Sequence, residues 1–388
     1  MEFDVVIAGS GVSGGSCALQ LARQGLRVAL FEREAFPRDK VCGEFLTPES
    51  VAHLQTISLE EQIVASGGLR ITQAILHSVR GHALRFDFEK LHSGANHGLA
   101  ISRRRLDQLL FENAAKAGAH CQDRARVDSV HIEGAGQRVE VTDLRTGETL
   151  PIRSRFFIDA AGRKSRFTDH PPGRRSYFGY KAHWPEPIVA RGEVHLFFFR
   201  GGYGGATVVE GNRTSVCIMA TPELFRNSRG DFSHLMAATV FQNQSACKML
   251  APLDPSFIRW ISTGPLIFEL KEDALTPWVH LGDAAGMIDP FTGEGMTFAL
   301  RTASLLAREI SRGGNYANVK DRFGRSVRAE LERCYRNCAR LRRIAEHPWV
   351  LDRTFQVAAH SRWLTAKLVE MTRPGRRKAE GSKLPAGG

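Results

Sequence analysis

The chain opens on a short apolar run, Phe3 to Ala8, β-branched at its centre and closed by glycine. Such a run reads as a buried strand. A helical pattern follows from Val12 to Gln24 and stops at Gly25, a common C-terminal stop. A second apolar run covers Leu26 to Phe31. Short runs of the same kind recur just before Asp159 and over Trp278 to Leu281. Between these the period shortens toward two. Ile71 to Val79 and Leu84 to Phe88 form one small β group. Ser176 to Trp184, Glu193 to Arg200, Ala206 to Val209 and Thr214 to Met219 form a longer one, and Ile258 to Leu270 returns as extended chain. From Asn315 to Thr372 the period is helical again, and no internal repeat is present. This pattern predicts an α/β fold with a mainly antiparallel β insertion and C-terminal helices.

Chemistry concentrates where the buried runs end. Gly9-Ser10-Gly11-Val12-Ser13-Gly14 joins the first strand to the first helix. Gly9 permits a tight turn, Gly11 lets backbone approach a pyrophosphate, and Gly14 lets the helix pack on the strand. The helix N-terminus offers unpaired N–H groups to phosphates. Glu32, followed by Arg33, ends the second strand. A carboxylate there accepts hydrogen bonds from ribose hydroxyls and repels a 2′-phosphate. The second segment is Asp159-Ala160-Ala161-Gly162-Arg163. The third is Gly282-Asp283-Ala284-Ala285-Gly286, continuing through Asp289-Pro290 to Thr292-Gly293-Glu294-Gly295-Met296.

In this order the three segments resemble FAD-dependent oxidoreductases of the para-hydroxybenzoate hydroxylase type, which include aromatic hydroxylases, flavin halogenases and geranylgeranyl reductases. The resemblance implies a Rossmann-type FAD-binding domain, discontinuous and of the second glutathione-reductase-related type, over residues 1–65, 100–163 and 274–312. It implies a substrate domain over 66–99 and 164–273, helices over 313–372 and a disordered tail over 373–388. FAD is the implied cofactor and NAD(P)H the implied reductant. Gly9, Gly11, Val12, Ser13, Gly14, Glu32 and Arg33 would face the adenosine and phosphates, with Asp159 and Gly162 beside the pyrophosphate. Gly282 and Asp283 would meet the ribityl chain. Pro290, Gly293, Gly295 and Met296 would lead into a helix, starting near Gly293, whose N-terminus faces the flavin. Arg103, in Arg103-Arg104-Arg105-Leu106-Asp107, matches the arginine that the family places near the cofactor, with Ser102 as N-cap. Pro37-Arg38-Asp39-Lys40-Val41-Cys42-Gly43-Glu44 is similar to the geranylgeranyl reductase loop that passes the flavin. Cys42 is therefore a candidate active-site neighbour or a small apolar filler.

The resemblance thins in the substrate domain. Halogenases carry Trp-x-Trp-x-Ile-Pro where this chain has Gly202-Tyr203-Gly204-Gly205, which disfavours halogenation. Reductases carry Tyr-x-Trp-x-Phe-Pro there, and only Tyr203 survives, a second candidate neighbour of the site. Phe197, Phe198 and Phe199, with Phe178 and Tyr180, suit an apolar aromatic cavity. His183 and His195 could face the cavity, but a lone histidine is more often a satisfied polar residue, so neither is named as catalytic. The expected function is an NAD(P)H-driven monooxygenase hydroxylating an apolar or aromatic, polyketide- or lipid-like substrate. The alternatives are a geranylgeranyl-reductase-like C=C reductase and, from another class, a flavin-binding electron carrier or redox-sensing protein. No catalytic side chain is singled out, because the flavin carries the chemistry.

Composition adds three points. No window reaches the roughly 18 apolar residues of a membrane span, and the chain enters its first strand without a leader, so a cytoplasmic protein is expected. The seven cysteines are odd in number, scattered and without Cys-x-x-Cys, which excludes a disulfide frame and gives no metal site. The net charge is +12. Much of it lies on one predicted helix bearing Arg322, Arg325, Arg328, Arg333, Arg336, Arg340, Arg342 and Arg343, opposite Phe323, Val327, Leu331, Cys334, Cys338 and Leu341. A solvated face is the plain interpretation. Contact with an acidic carrier protein, holding a tethered substrate, or with a membrane surface is the sharper one. No nucleic-acid motif accompanies the charge, so no nucleic-acid partner is expected.

Overall fold

A computed structural model gives the structure and describes residues 1–90, 94–168, 176–228, 231–250, 258–271, 276–359 and 361. The expected disordered tail, 373–388, and the last expected helical stretch up to Thr372 lie outside these residues. The chain begins with β1 (Glu2–Ala8), α1 (Val12–Arg23) and β2 (Val28–Glu32). Then come β3 (Phe45–Leu46), α2 (Pro48–Thr56), α3 (Glu60–Ala65), β4 (Leu69–Ile71), β5 (Gln73–His77), β6 (Ala83–Asp87) and β7 (Gly98–Ala100). α4 (Arg103–Lys116) follows, started by Ser102, whose hydroxyl accepts the Arg105 N–H. β8 (His120–Asp123), β9 (Ala125–Glu133), β10 (Gly136–Asp143) and β11 (Thr149–Asp159) complete the first half.

β1 runs parallel to β2 and β11, and β8 lies parallel to β2, which is the frame of a doubly wound sheet. β9 and β10 extend it as an antiparallel meander off β11. Both faces of β1 are buried: Val5 and Ile7 pack toward α1 and α4, Val6 and Ala8 toward the meander. That explains its unbroken apolar run.

The second half supplies β12 (Tyr177–Trp184), β13 (Glu193–Phe199), β14 (Gly202–Val209) and β15 (Arg213–Ala220), then α5 (Pro222–Asn227), α6 (Phe232–Ala238) and α7 (Gln244–Leu250). β16 (Ile261–Leu266) and β17 (Val279–His280) lead to α8 (Gly295–Ser311), α9 (Tyr316–Ala345) and α10 (Pro348–Ala359). β17 joins the first sheet beside β11. The second sheet has the order β16-β12-β15-β14-β13-β5-β6, antiparallel except where β13 meets β5. Its outer face packs under α6 and α7 through Tyr180, Ala182, Phe197, Val208 and Val216. Its inner face turns toward the first domain.

Three expectations are corrected. α8 starts at Gly295, not Gly293, because Pro290–Thr292 forms a 3-10 turn and Gly293 closes it in the left-handed region at φ +74°. β14 begins at Gly202: the glycine run is strand, and a Cβ on Gly202 would lie 2.0 Å from the Met219 carbonyl oxygen of β15. The helices α5 to α7 went unforeseen; Asp231 caps α6 by accepting the Ser233 and His234 N–H groups. Among the described residues no helix is long and apolar enough to cross a membrane.

Candidate functional site

A cavity of about 380 Å³ lies between the two sheets, with α8, α9 and α10 along its other side. One end is the glycine turn. Gly9 sits at φ +97°, and a Cβ there would be 2.5 Å from the Ala160 carbonyl oxygen. A Cβ on Gly14 would be 1.9 Å from the Gly9 oxygen, so the turn admits only glycine at both positions. A Cβ on Gly11 would meet nothing nearer than the Arg103 guanidinium at 3.6 Å. α1 begins there without a capping side chain and without an acid in its first turn. Its N–H groups are therefore directed at a cradle lined by Gly11, Val12 and Ser13, the arrangement that suits a pyrophosphate.

Glu32 lies behind the glycine turn, outside the lining itself. Its Oε2 accepts the Ser10 N–H at 3.0 Å and the Arg38 guanidinium at 3.0 Å, and its Oε1 accepts the Glu34 N–H at 3.1 Å. Of about four acceptor positions on a carboxylate, one on Oε1 is left for a ribose hydroxyl. Arg38 reaches on to Asp107 at 2.9 Å, and Asp107 holds Arg103 through two bonds of 2.8 and 2.7 Å. Burial works against the charge on Asp107, but Arg103 and Arg38 hold its carboxyl below the usual range. Arg103 is thus fixed in the cavity wall as a charged group.

At the middle of the cavity the loop after β2 passes close to α8. Lys40, Cys42, Gly43 and Glu44 line the wall, and Lys40 lies 3.6 Å from Asp283. Gly162, Pro290, Gly293, Gly295 and Met296 line it too. A Cβ on Gly295 would meet nothing within 4 Å. This helix start likewise lacks a side-chain cap and an acid in its first turn. Two helix N-termini, both bare, therefore face one cavity, and both favour negative charge.

Several expected residues stand elsewhere. Arg33 points to solvent, ion-paired with Glu34 at 3.2 Å, so it is not in the wall. Asp159 is buried outside the wall and accepts from the Ala161 N–H at 3.0 Å and pairs with His280 at 2.8 Å, fastening β11 to β17. Gly282 is behind the wall at φ +57°, beside Ser13. Tyr203 is also outside the wall and donates to Asp289 at 2.9 Å. Asp289 takes the Phe291 N–H and lies 3.3 Å from Arg342 of α9; burial pushes its carboxyl up to about 6, against the pull of Arg342 and Tyr203. Tyr203 and Asp289 thereby brace the Pro290 turn from outside. His195, by contrast, is in the lining, with its ring bonded to His77 at 3.0 Å and to Glu193 at 2.9 Å.

The sequence reading missed a buried cluster. Glu44 accepts the Arg103 N–H at 2.7 Å, contacts His183 at 2.6 Å and is ion-paired with Lys181. Burial opposes its charge, yet the His183 hydrogen bond and the Lys181 ammonium bring the carboxyl down to about 2. Gly179, Lys181 and His183 alternate on the inner face of β12, a period-two polar signal inside an otherwise apolar strand. Cys217 of β15 lines the cavity near this cluster, and burial pushes its thiol up to about 12.

Beyond Cys42 the walls are mostly apolar, with His195 and Thr354 among them. Ala74, Leu76, Leu84, Phe86 and Phe88 come from the β5–β6 region, Leu196 and Phe198 from β13, and Leu351 and Phe355 from α10.

Residues 2–186 match the FAD binding domain family. The chain carries this FAD-binding domain over just under half its length and is an FAD-dependent oxidoreductase by that domain and its relatives. A menaquinone reductase of Mycobacterium tuberculosis is 27% identical over 354 residues, 83% of this chain and 81% of that one. A geranylgeranyl diphosphate reductase of Rhodobacter capsulatus is 26% identical, covering 82% and 78%. A flavoprotein/dehydrogenase from Cytophaga hutchinsonii shares the fold with a TM-score of 0.75 at 22% identity, over 96% of this chain and 99% of that one. Flavin-dependent halogenases and a probable monooxygenase share the fold as well. This oxidoreductase is an enzyme, which sets aside the electron-carrier alternative. Its glycine turn, the last acceptor position of Glu32 and the two bare helix ends fit FAD.

Proposed function

We propose that this flavoenzyme reduces a carbon–carbon double bond in an elongated apolar substrate, with NAD(P)H as the electron source. The cavity carries the proposal. It is continuous from the glycine turn, past Cys42 and Gly295, into a compartment walled by aliphatic and aromatic side chains. Gly9, Gly11, Val12, Ser13 and Gly14 would hold the FAD phosphates, Glu32 the adenosine ribose, Asp283 with Lys40 the ribityl chain, and Pro290 to Met296 the flavin itself. When bound, FAD supplies the hydride transfer. The chain's own residues hold its charge at the α8 N-terminus and keep water from the apolar compartment.

The two reductase relatives, which match about four fifths of this chain, support reduction over oxygenation. Oxygenation is the second reading, favoured by the dry compartment, since exclusion of water also protects reactive intermediates. None of the seven cysteines is joined in a disulfide, which suits a reducing compartment, the cytoplasm.

A chain-length series tests the substrate class. Titrating the flavin-loaded enzyme with prenyl alcohols of increasing length should tighten binding by up to about 0.8 kcal/mol per buried CH2 until the compartment is full. Binding that ignores chain length would rule the proposal out.

A further inference from the structure

The cavity reaches the outside of the molecule at a corner with unusual chemistry. Its far wall is made by Leu341, Ile344 and Ala345 at the end of α9 and by Leu351, Thr354 and Phe355 of α10. Ile344 belongs both to this wall and to the surface, 37% exposed. Five residues on, at the start of α10, Trp349 is 70% exposed, and Val357, two turns further along that helix, is 61% exposed. A large aromatic residue left in water on the helix that walls an apolar cavity has no folding role that explains it.

Charge surrounds these residues. Arg333, Arg336, Arg340 and Arg343 follow at spacings of three and four on the exposed face of α9. Arg336 is paired with Glu332 at 2.7 Å. Arg333, Arg340 and Arg343 make no ion pair with any described carboxylate, whereas Arg322 and Arg342 of the same helix are bound to Glu309 and Asp289. Arg353, between Trp349 and Val357, is also exposed and bonds to Gln356, with no ion pair to a described carboxylate. Exposed apolar side chains flanked by unpaired arginines match a surface with an apolar interior and anionic headgroups. An acidic protein would satisfy the arginines but would leave no reason for the apolar residues to sit where the cavity meets the surface.

We propose that the α9–α10 corner docks on an anionic lipid bilayer, with Trp349 and Val357 at the interface and Arg333, Arg340 and Arg343 over the headgroups. An apolar substrate dissolved in the bilayer would then enter past Ile344 without crossing water. The entry route rests on the cavity being the substrate site. The docking itself does not, so it is measured without substrate, and its failure is distinguishable from failure of the proposed reaction.

The test is co-sedimentation of the flavin-loaded full chain with vesicles of phosphatidylcholine alone and of phosphatidylcholine mixed with phosphatidylglycerol. Adsorption is expected on the mixed vesicles only, weakened by salt. Arg340→Gln with Arg343→Gln should lower the partition coefficient roughly 25-fold, about fivefold for each basic residue removed, which is about 1 kcal/mol apiece. Trp349→Ser should lower it independently of salt. Both variants should retain their flavin spectrum, because none of these side chains lines the cavity. Equal adsorption to both vesicle types would overturn the proposal. So would unchanged adsorption of both variants, as binding through the basic residues after 361 would give, and so would capture by an acidic carrier protein without any vesicle adsorption.

Discussion

Glu44 carries two costs at once: a left-handed backbone at φ +58° and a fully buried carboxylate. Strain of this kind runs to about 1–3 kcal/mol and persists only where the surroundings enforce it. Here the Arg103 N–H, Lys181 and His183 enforce it, and they tie the cofactor loop to α4 and β12. Because the folded carboxyl is held at about 2, below its ordinary 4.5, its contribution to stability is present above 4.5 and lost as pH falls toward 2. Glu44→Gln should therefore cost roughly 3 kcal/mol in urea unfolding at neutral pH, at about 1.4 kcal/mol per pKa unit. The gap between wild type and variant should close as pH is lowered through that window. A gap independent of pH would mean that the carboxylate is not held by these charges. Glu32 is a different case, since three of its acceptor positions already serve Ser10, Glu34 and Arg38. Glu32→Ala should weaken FAD binding by about 1–3 kcal/mol, through loss of the ribose acceptor and of the turn geometry together. An unchanged dissociation constant would place the ribose elsewhere.

At the scale of elements, the start of α8 is the part of the site most open to a clean perturbation. Gly295 is the first helical residue, where proline is tolerated, and a side chain there would enter open space. Gly295→Pro should leave the fold intact while removing one N–H from the helix end. A helix terminus stabilises charge by about 0.3–1 kcal/mol, up to ~2 when partly buried. The variant should accordingly raise the pKa of the reduced flavin's N1 by up to about 1 and slow its reduction by NAD(P)H. Spectroscopic titration at matched flavin occupancy checks this; an unchanged pKa and rate would show that α8 does not face the flavin. The elements around β1, α1 and β2 were legible from sequence because buried strands, a helix stop at Gly25 and the spacing of Gly9, Gly11 and Gly14 all demand the same local structure. The start of β14 was not, because Gly202 to Gly205 reads as a turn until the Met219 carbonyl is seen against it. The Glu44 cluster joins residues 137 apart in the chain, and no local pattern carries such a pairing. Arg33 follows Glu32 in sequence but turns to solvent, where it pairs with Glu34.

For the whole molecule, the governing feature is that one cavity has two chemistries. Its near end is built from bare helix termini, Arg103 and the Lys40–Asp283 pair; its far end is walled by leucine and phenylalanine from β5, β6, β13 and α10. The two sheets divide the work. The first presents its glycine turn to one end, and the second turns an apolar core outward and a mixed face inward, so that Glu44, held by Lys181, and Cys217 border the same space that Leu196 and Phe198 line. A polar cofactor and an apolar substrate can share such a space only if they meet near Cys42, where the two linings join. The most direct test is a single turnover under strict anaerobiosis. The flavin-loaded enzyme is reduced with one equivalent of NAD(P)H and mixed with a prenylated lipid, and flavin reoxidation is followed by absorbance while the product is weighed by mass spectrometry. Flavin reoxidised without oxygen, with a product heavier by two hydrogen atoms, is the predicted result; a flavin that stays reduced until oxygen is admitted, with a product heavier by one oxygen atom, would contradict it.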